Sequence, residues 1–206
     1  MNKINSIRKD WRLIESLIDS HSRILDIGCG EGELIEQLEN NIYAKTHGIE
    51  INPDLTRKAI AKGFSVVQGN AEKDLSQYAN QSFDYVILSQ TLQAMVRPKE
   101  VLLELLRIGS KAIVSFPNFG YWKIRLQLLL TGKMPVTESL PYAWYDTPNI
   151  HFFTIQDFQN LCVDLNIVIE KSIGLSTKGK QFDIPPGISG ANLFTHEAIF
   201  LLSYRT

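Results

Sequence analysis

Residues 24–34 read ILDIGCGEGEL, an aliphatic run that ends in three glycines spaced two residues apart. Glycine weakens both helices and strands, so such a cluster marks backbone that must bend sharply or lie against something. The aliphatic run from Arg23 to Ile27 predicts a buried strand, with Asp26 near its end. Beyond the glycines, apolar residues recur at helical spacing. The stretch therefore predicts a strand, a tight loop and a helix.

The same alternation continues along the chain. Further strands are predicted at Tyr43 to Ile51, Phe64 to Gln68, Phe83 to Ser89, Lys111 to Phe116, Ile167 to Ile173 and Glu197 to Tyr204. Helices are predicted near residues 5–19, after Pro53, after Pro98, and after Thr154, where Asp157 completes a capping pair. Strands that alternate with helices form a parallel sheet covered on both faces. We expect an α/β fold with a doubly wound, mostly parallel sheet of seven strands.

Two segments interrupt this alternation within what we expect to be a single domain over residues 1–206. Residues 117–153 are rich in aromatics and prolines and predict a cap inserted over the edge of the sheet. Residues 176–194 contain Pro185, Pro186 and Gly187 in a row and predict an irregular, mobile stretch.

The bulk composition excludes several classes of protein. With 206 residues and a formal net charge of −1, the chain lacks the basic excess of a nucleic-acid-binding protein. No run approaches the ~20 apolar residues of a membrane-spanning helix, and the start, MNKINSIRKDW, resembles no secretory signal. Cys29 and Cys162 have no spacing typical of metal ligands or of a disulfide framework. We expect a cytoplasmic protein without a metal site, whose partner is a small molecule or another protein.

The glycine loop predicts a nucleotide-type ligand, because ligands of open α/β sheets bind beyond the carboxyl ends of the strands. A dinucleotide fold favours G-x-G-x-x-G, whereas Gly28, Gly30 and Gly32 follow G-x-G-x-G. Asp26, Glu31 and Glu33 flank the loop, and no lysine or arginine lies within it. Carboxylates repel a pyrophosphate and attract a cation. S-adenosylmethionine, with a sulfonium, an ammonium and no phosphate, fits this loop better than a dinucleotide.

Specific contacts follow from this ligand. Asp26 would attract the ammonium, while the backbone of Gly28, Cys29 and Gly30 approaches the amino-acid end. Glu50, followed by Ile51 at the end of the second strand, would accept hydrogen bonds from both ribose hydroxyls.

Two more strand ends supply candidates. Asn70, beside Ala71, would accept a hydrogen bond from the adenine amino group, or its side chain would only stabilise a turn. Ser89 and Gln90 would line the methionine end, and Gln93 would orient a substrate.

The insert contains the one candidate proton carrier, His151, which would act as a base toward a substrate or would only tie the loop by hydrogen bonds. Its aromatic side chains would form a water-excluding lid, a small satellite core, or both. Lys123, Arg125 and Lys133 add positive charge, which suits an acidic substrate or partner or is simply solvated.

Four stretches resemble the methionine biosynthesis MetW family of class I S-adenosylmethionine-dependent methyltransferases. They are SQTLQA (89–94), FPNFGYW (116–122), GKMPVT (132–137) and LPYAWYDTPNIHF (140–152). The resemblance implies a Rossmann-like fold with an antiparallel last strand, S-adenosylmethionine as cofactor and S-adenosylhomocysteine as product. It also implies a link to methionine synthesis beside a homoserine O-acyltransferase. Relatives tend to carry aspartate where Asn70 stands, which weakens the expected adenine contact.

Two functional hypotheses stay open. In the first, the protein is an enzyme that methylates a small molecule under the insert. In the second, it is a non-catalytic module whose occupancy by S-adenosylmethionine regulates a partner acyltransferase. A third hypothesis, an NAD-dependent reductase, is disfavoured by the acidic loop and its glycine spacing.

Overall fold

A computed structural model describes residues 8–137, 140–185, 187 and 189–204 of the chain. The strands are β1 Arg23–Ile27, β2 Lys45–Glu50, β3 Val66–Gln68, β4 Phe83–Ser89, β5 Gly109–Pro117, β6 Ile167–Leu175, β7 Gln181–Asp183 and β8 Glu197–Tyr204. The α-helices are α1 Lys9–Ser16, α2 Glu33–Ile42, α3 Pro53–Ala61, α4 Ala71–Asp74, α5 Pro98–Ile108, α6 Trp122–Thr131, α7 Ile155–Asp164 and α8 Ser189–Phe194. Two short 3₁₀ helices lie at Leu75–Gln77, after α4, and at Leu92–Ala94, after β4.

The strands form one sheet in the order β3-β2-β1-β4-β5-β8-β6-β7. Neighbours from β3 to β5 pair in parallel, while β8 runs antiparallel to both β5 and β6. The predicted α/β class, the parallel sheet and the antiparallel last strand are confirmed. The sheet has eight strands rather than seven, because β7 adds an antiparallel edge to β6.

Helices cover both faces of the sheet, as the alternation of buried side chains along the strands shows. Ile24 and Ile87 contribute to a core cluster with α1 and α2, whereas Leu25 and Val86 contribute to one with α5 and α7. Successive strand residues point to opposite faces, so each strand supplies both clusters. Burial on both sides explains why these strands read as continuous aliphatic runs.

Local signals explain where several helices begin. The Asn52 side chain accepts a hydrogen bond from the Asp54 amide at 2.9 Å and caps α3, with Pro53 at its first position. Thr154 and Asp157 form a reciprocal capping box at the start of α7, as predicted.

Three segments differ from the prediction. The N-terminal helix was expected over residues 5–19; residues 5–7 lie outside the described part of the chain, and α1 ends at Ser16. The insert contains a helix, α6, that was not foreseen. Residues 176–194, expected to be irregular, contain β7 and α8, although positions 186 and 188 lie outside the described residues. None of the helices formed by the described residues has the length and apolarity needed to cross a membrane.

Candidate functional site

The glycine loop lies where the strand order reverses. The chain passes from β1 to β2 and β3 on one side of the sheet, then crosses back to β4 on the other side of β1. Such a reversal separates the loops that follow the two strands and opens a crevice at their carboxyl ends. The loops after β1, β2 and β4 border this cleft, as the sequence predicted.

Two loop glycines show why side chains are absent here. Gly28 has φ +74°, and a Cβ on it would lie 3.1 Å from Thr91 Oγ1 in the loop after β4. Gly30 has φ +59°, but a Cβ there would meet nothing closer than Glu33 Oε2 at 4.0 Å. Gly28 therefore allows close packing of the two loops, whereas Gly30 leaves open space beside the backbone.

Glu50 ties two loops together at the end of β2. Its Oε2 accepts a hydrogen bond from the Gly30 amide at 2.9 Å, and its Oε1 accepts one from the Asn52 amide at 2.8 Å. A carboxylate has about four acceptor positions, so two remain for ligand hydroxyls. Ile51, next in the chain, is largely exposed and offers an apolar surface beside this carboxylate.

Asp26 is a buried carboxylate, 3% exposed, and none of the described residues donates a hydrogen bond to its oxygens. Burial raises the pKa of the Asp26 carboxyl to about 7, against the lowering effect of Arg8 and with a further rise from Glu50. A buried unpaired carboxylate is costly, because its charged form has lost its hydration. A cationic ligand would supply the missing partner, which fits the predicted role of Asp26.

Cys29 has its side chain in the core rather than in the cleft. Its sulfur packs under β2, where a Cβ on Gly48 would lie 2.6 Å from it. Burial raises the pKa of the Cys29 thiol to about 12, and the nearby carboxylates of Asp26 and Glu50 add to the rise. Any contribution of Cys29 to ligand binding must therefore come from its backbone.

Arg8 and Asp10 reach the cleft from the N-terminal segment, and the sequence analysis missed both. Arg8 pairs with the buried Asp10 through Nε at 3.1 Å and Nη2 at 2.5 Å, and Arg8 Nη2 donates to Ser89 Oγ at 3.3 Å. Ser89 Oγ lies 3.1 Å from Ser115 Oγ on β5. The predicted site residue Ser89 thus joins the N-terminal segment to the carboxyl ends of β4 and β5.

The acidic loop is partly neutralised from outside. Lys58 Nζ on α3 donates to Glu31 Oε1 at 2.6 Å, and Lys62 Nζ donates to the Glu31 carbonyl at 3.0 Å. The charge of Glu31 is therefore offset by α3, while Asp26 and Glu50 remain as buried carboxyl groups beside the loop.

Asn70 lies at the end of β3 as expected, and its side chain caps α4. Its Oδ1 accepts from the Glu72 amide at 2.9 Å, and its own amide donates to Asp74 Oδ2 at 2.7 Å. The turn role weighed for Asn70 is thus present, with Ala71 as the first residue of α4. An adenine contact by either residue stays a prediction.

The loop after β4 carries unsatisfied polar groups. Gln90 adopts φ +54°, a strained conformation for a residue other than glycine, and its buried Nε2 has no hydrogen-bond partner among the described residues. Gln93 donates from Nε2 to the Gln90 carbonyl at 2.8 Å, while its buried Oε1 is unpaired within the same part of the chain. Backbone strain and unpaired polar atoms are typical of functional sites.

His151 lies at the end of the insert, next to the loop after β4. The amides of Ile150 and His151 donate to the Gln93 carbonyl at 2.9 and 3.0 Å. His151 Nε2 is 3.5 Å from the Val96 carbonyl, a long contact. The histidine also lines a cavity of about 200 Å³ whose other walls are Leu92, Pro98, Phe152, Phe153, Asp157, Phe158 and Leu161. The loop-tying role of this segment is observed, and a catalytic role for His151 stays a prediction.

The insert aromatics separate into buried and exposed groups. Tyr121 packs with Ile124 and Leu140 in a small cluster, as the satellite-core interpretation expected. In contrast, Trp144 is 72% exposed and Tyr145 70% exposed. These two side chains do not close a dry cavity in this conformation. Among the described residues, no group of three or more His, Cys, Asp or Glu side chains gathers to hold a metal ion.

Several known proteins are similar to this chain. A curated protein of Rhodopirellula baltica, described as bifunctional methionine biosynthesis protein MetXA/MetW, is 32% identical over 177 residues. The match covers 82% of this chain but only 28% of that protein, so this chain spans less than a third of its length.

Solved structures show the same fold at low identity. A SAM-dependent methyltransferase of Thermotoga maritima, described as a possible histamine N-methyltransferase, has a TM-score of 0.67 at 18% identity, covering 96% of this chain and 88% of that one. A SAM-dependent methyltransferase of Archaeoglobus fulgidus has a TM-score of 0.63 at 16% identity, covering 93% of each chain. At such identities the likeness shows the fold alone.

The family itself is shown by sequence. The profile described as methionine biosynthesis protein MetW matches residues 8–202, nearly the whole described chain. The chain therefore belongs to the methionine biosynthesis protein MetW family.

Proposed function

We propose that this protein binds S-adenosylmethionine in the cleft after β1, β2 and β4 and transfers its methyl group to a small molecule. The observation that carries the binding step is the Glu50 carboxylate, held by the amides of Gly30 and Asn52 with acceptor capacity left over. A carboxylate fixed at the end of β2 is placed to accept from two ribose hydroxyls, and it would repel a 2′-phosphate.

The remaining site residues would each contact a different part of the ligand. Asp26 would hold the ammonium, the backbone of Gly28, Cys29 and Gly30 would approach the amino-acid end, and Ile51 would flank the adenine. The cofactor supplies a methyl group already activated on a sulfonium. The protein then needs chiefly to position an acceptor and exclude water.

The cavity beside His151 is the candidate acceptor site. Its walls are mainly apolar and aromatic, with His151 and Asp157 as the polar groups. A volume of about 200 Å³ suits a small molecule with an apolar body. His151 would accept a proton from an acceptor hydroxyl or amine.

Calorimetry with S-adenosylmethionine, S-adenosylhomocysteine and NAD tests the ligand class. We expect binding of the first two and not of NAD, and binding of NAD alone would refute the proposal. A screen of small-molecule acceptors for S-adenosylhomocysteine release tests the transfer step. His151→Ala should then reduce turnover without changing cofactor affinity.

A second function is favoured by a specific observation. The Rhodopirellula baltica relative, as its description MetXA/MetW says, is a bifunctional protein of methionine biosynthesis. We propose as the alternative that this chain is a non-catalytic, S-adenosylmethionine-binding regulator of a homoserine O-acyltransferase. The exposed Trp144 and Tyr145 support this alternative, because exposed aromatics are enriched at protein interfaces. The two unpaired cysteines fit a reducing cytoplasm, where such an enzyme pair would work.

The alternative is tested by mixing this protein with a purified homoserine O-acyltransferase. Regulation predicts an acyltransferase rate that changes when S-adenosylmethionine is added, since only different affinities for the free and bound states carry such a signal. Trp144→Ala with Tyr145→Ala should abolish the effect while cofactor affinity stays unchanged. Lys99→Ala, at an exposed position of α5 outside the insert, serves as the control. An acyltransferase rate indifferent to both protein and ligand would refute the regulatory function.

A further inference from the structure

Helix α6 of the insert presents an apolar stripe to solvent. Trp122, Leu126, Leu129 and Leu130 make up this α6 stripe, because their spacing of i, i+4, i+7 and i+8 places them on one face of the helix. Leu129 is 81% exposed and Leu130 72%. Ile124, on the opposite face, is buried in the small cluster of the insert. A helix that is apolar on both faces is normally covered on both, and here the insert covers only one.

Positive side chains lie along both edges of the α6 stripe. Lys123 and Arg125 adjoin Ile124 in sequence, so each projects about 100° from the buried face, on opposite sides of the helix. Lys123 Nζ lies 5.7 Å from the centre of the Trp122 ring, and Arg125 Nε donates to a backbone carbonyl at 2.5 Å. Lys133 follows just beyond the helix. The charges therefore border the apolar surface rather than interrupt it.

This region has the opposite charge to the rest of the chain. No aspartate or glutamate occurs between Glu104 and Glu138. Residues 119–137 contain three of the 21 Lys and Arg residues and none of the 22 Asp and Glu residues, so they carry +3 and the remainder carries −4. An anionic surface would attract the insert and repel the remainder, and would thus orient the protein with α6 toward it.

A second copy of this chain is a poor cover for the α6 stripe, because two such helices packed together would bring their positive edges into contact. A groove on another protein would need carboxylates along both rims and a concave apolar floor. An anionic lipid bilayer offers negative charge on every side of the helix and apolar chains beneath it. Outward Trp and Leu side chains with Lys and Arg beside them are typical of helices that lie in a membrane interface.

We infer that α6 binds this protein to an anionic lipid surface. Trp122, Leu129 and Leu130 enter the boundary between headgroups and acyl chains, and Lys123 and Lys133 contact the lipid phosphates. With ten residues, α6 is too short to cross the bilayer and lies in its surface. The inference concerns where the protein binds, and it holds for either function proposed above.

Co-sedimentation of the full chain with lipid vesicles tests this inference. Vesicles of equal parts phosphatidylglycerol and phosphatidylcholine should bind the protein about 10-fold more tightly than phosphatidylcholine alone, and added salt should reduce this preference. Leu129→Ser combined with Leu130→Ser should weaken binding to the anionic vesicles about 10-fold or more. Ile60→Ser combined with Val163→Ser changes two exposed apolar residues on α3 and α7, and this matched control should bind like wild type.

A charge variant and a measurement without lipid complete the test. Lys123→Gln combined with Lys133→Gln should remove most of the preference for anionic vesicles, while thermal denaturation shows that each variant stays folded. Light scattering without lipid reports whether α6 joins two copies instead. The inference is overturned if wild type binds neither kind of vesicle or both equally, if the leucine variant binds like wild type, or if that variant separates a wild-type dimer. Calorimetry with S-adenosylmethionine tests the proposed function independently of all these outcomes.

Discussion

The cleft and the insert place their unusual residues in opposite environments. In the cleft, charged side chains that normally face water are buried: Asp10, Asp26 and Glu50 are each at most 6% exposed. In the insert, aromatic side chains that normally lie inside face solvent, Trp144 and Tyr145 above all. A buried charge requires hydrogen-bond donors or an opposite charge, and an exposed aromatic surface favours contact with another molecule. The difference fits our proposals that the cleft binds a polar small molecule and that the exposed aromatics of the insert meet a partner surface.

The largest expected effect comes from removing the charge that organises the cleft. Glu50→Gln puts an amide in place of a carboxylate that accepts from Gly30 and Asn52. Loss of charge-assisted hydrogen bonds should weaken S-adenosylmethionine binding about 100-fold, or about 3 kcal/mol. Calorimetry measures the change, with the exposed Glu36→Gln as the matched control. Equal affinities for Glu50→Gln and wild type would show that the ligand lies elsewhere.

The next largest effect concerns stability, and it separates a buried side chain of the insert from an exposed one. Leu140→Ala removes a buried side chain from the cluster with Tyr121 and Ile124 and should cost about 2 to 4 kcal/mol. Trp144→Ala removes an exposed side chain and should change the free energy of unfolding by less than about 0.5 kcal/mol. Urea denaturation of both variants checks this. A large loss for Trp144→Ala would mean that the aromatic face is packed in solution.

The loop glycines separate packing from ligand space. Gly28→Ala forces a side chain into a φ of +74° and against Thr91, so we expect a loss of about 2 to 3 kcal/mol in stability. Gly30→Ala also places a side chain at a positive φ, but its Cβ would touch no neighbouring atom. We therefore expect it to lower the free energy of unfolding by only about 1 kcal/mol. Thermal denaturation ranks the two variants. If Gly30→Ala is the less stable of the pair, the space above Gly30 is filled by protein rather than left for a ligand.

The smallest effect concerns the cost of the buried carboxylate. The pKa of Asp26 is raised from 3.8 to about 7, so between those values the folded protein keeps a proton that the unfolded chain releases. Stability should therefore fall as pH rises through this window and level off above it. Asp26→Asn should be more stable than wild type by about 0.5 to 2 kcal/mol at pH 8.

Denaturant titrations at pH 5 and pH 8 measure that slope. At pH 5 the advantage of Asp26→Asn should shrink, since the wild-type carboxyl is then protonated. Asp84 should have the opposite effect on the pH dependence of stability, because hydrogen bonds from Arg23 lower the pKa of its carboxyl. Asp84→Asn should lose stability at neutral pH rather than gain it. An unchanged pH slope in Asp26→Asn would contradict the burial of an unpaired carboxylate.

Much of the fold follows from short-range pattern. The bounds of β1, β4 and β8 match the prediction, because each strand has a continuous aliphatic centre that is buried on both faces. Strand β7 was missed, since QFD at the sheet edge is three residues long and mostly exposed. Only its pairing with β6 makes it a strand.

The site was predictable where its residues follow strand ends directly. Glu50 and Ser89 are the last residues of β2 and β4, and Asp26 is the last but one of β1, so all three lie at the carboxyl edge of the sheet. The contribution of Arg8 depends on a contact across 81 residues, and the pairing of Lys58 with Glu31 spans 27. No local periodicity encodes such distances. The left-handed conformation of Gln90 was equally hidden, since glutamine rarely adopts it.

The buried sulfurs of Cys29, under β2, and of Cys162, on α7, can report local opening of the fold. Thiols react with alkylating reagents only as exposed thiolates, and both Cys29 and Cys162 are buried with the pKa of each raised to about 12. Labelling of Cys29 requires the glycine loop to lift, whereas labelling of Cys162 requires α7 to leave the core. Ligand in the cleft should slow the first reaction more than the second, so the labelling rates of the native chain report occupancy without any added probe.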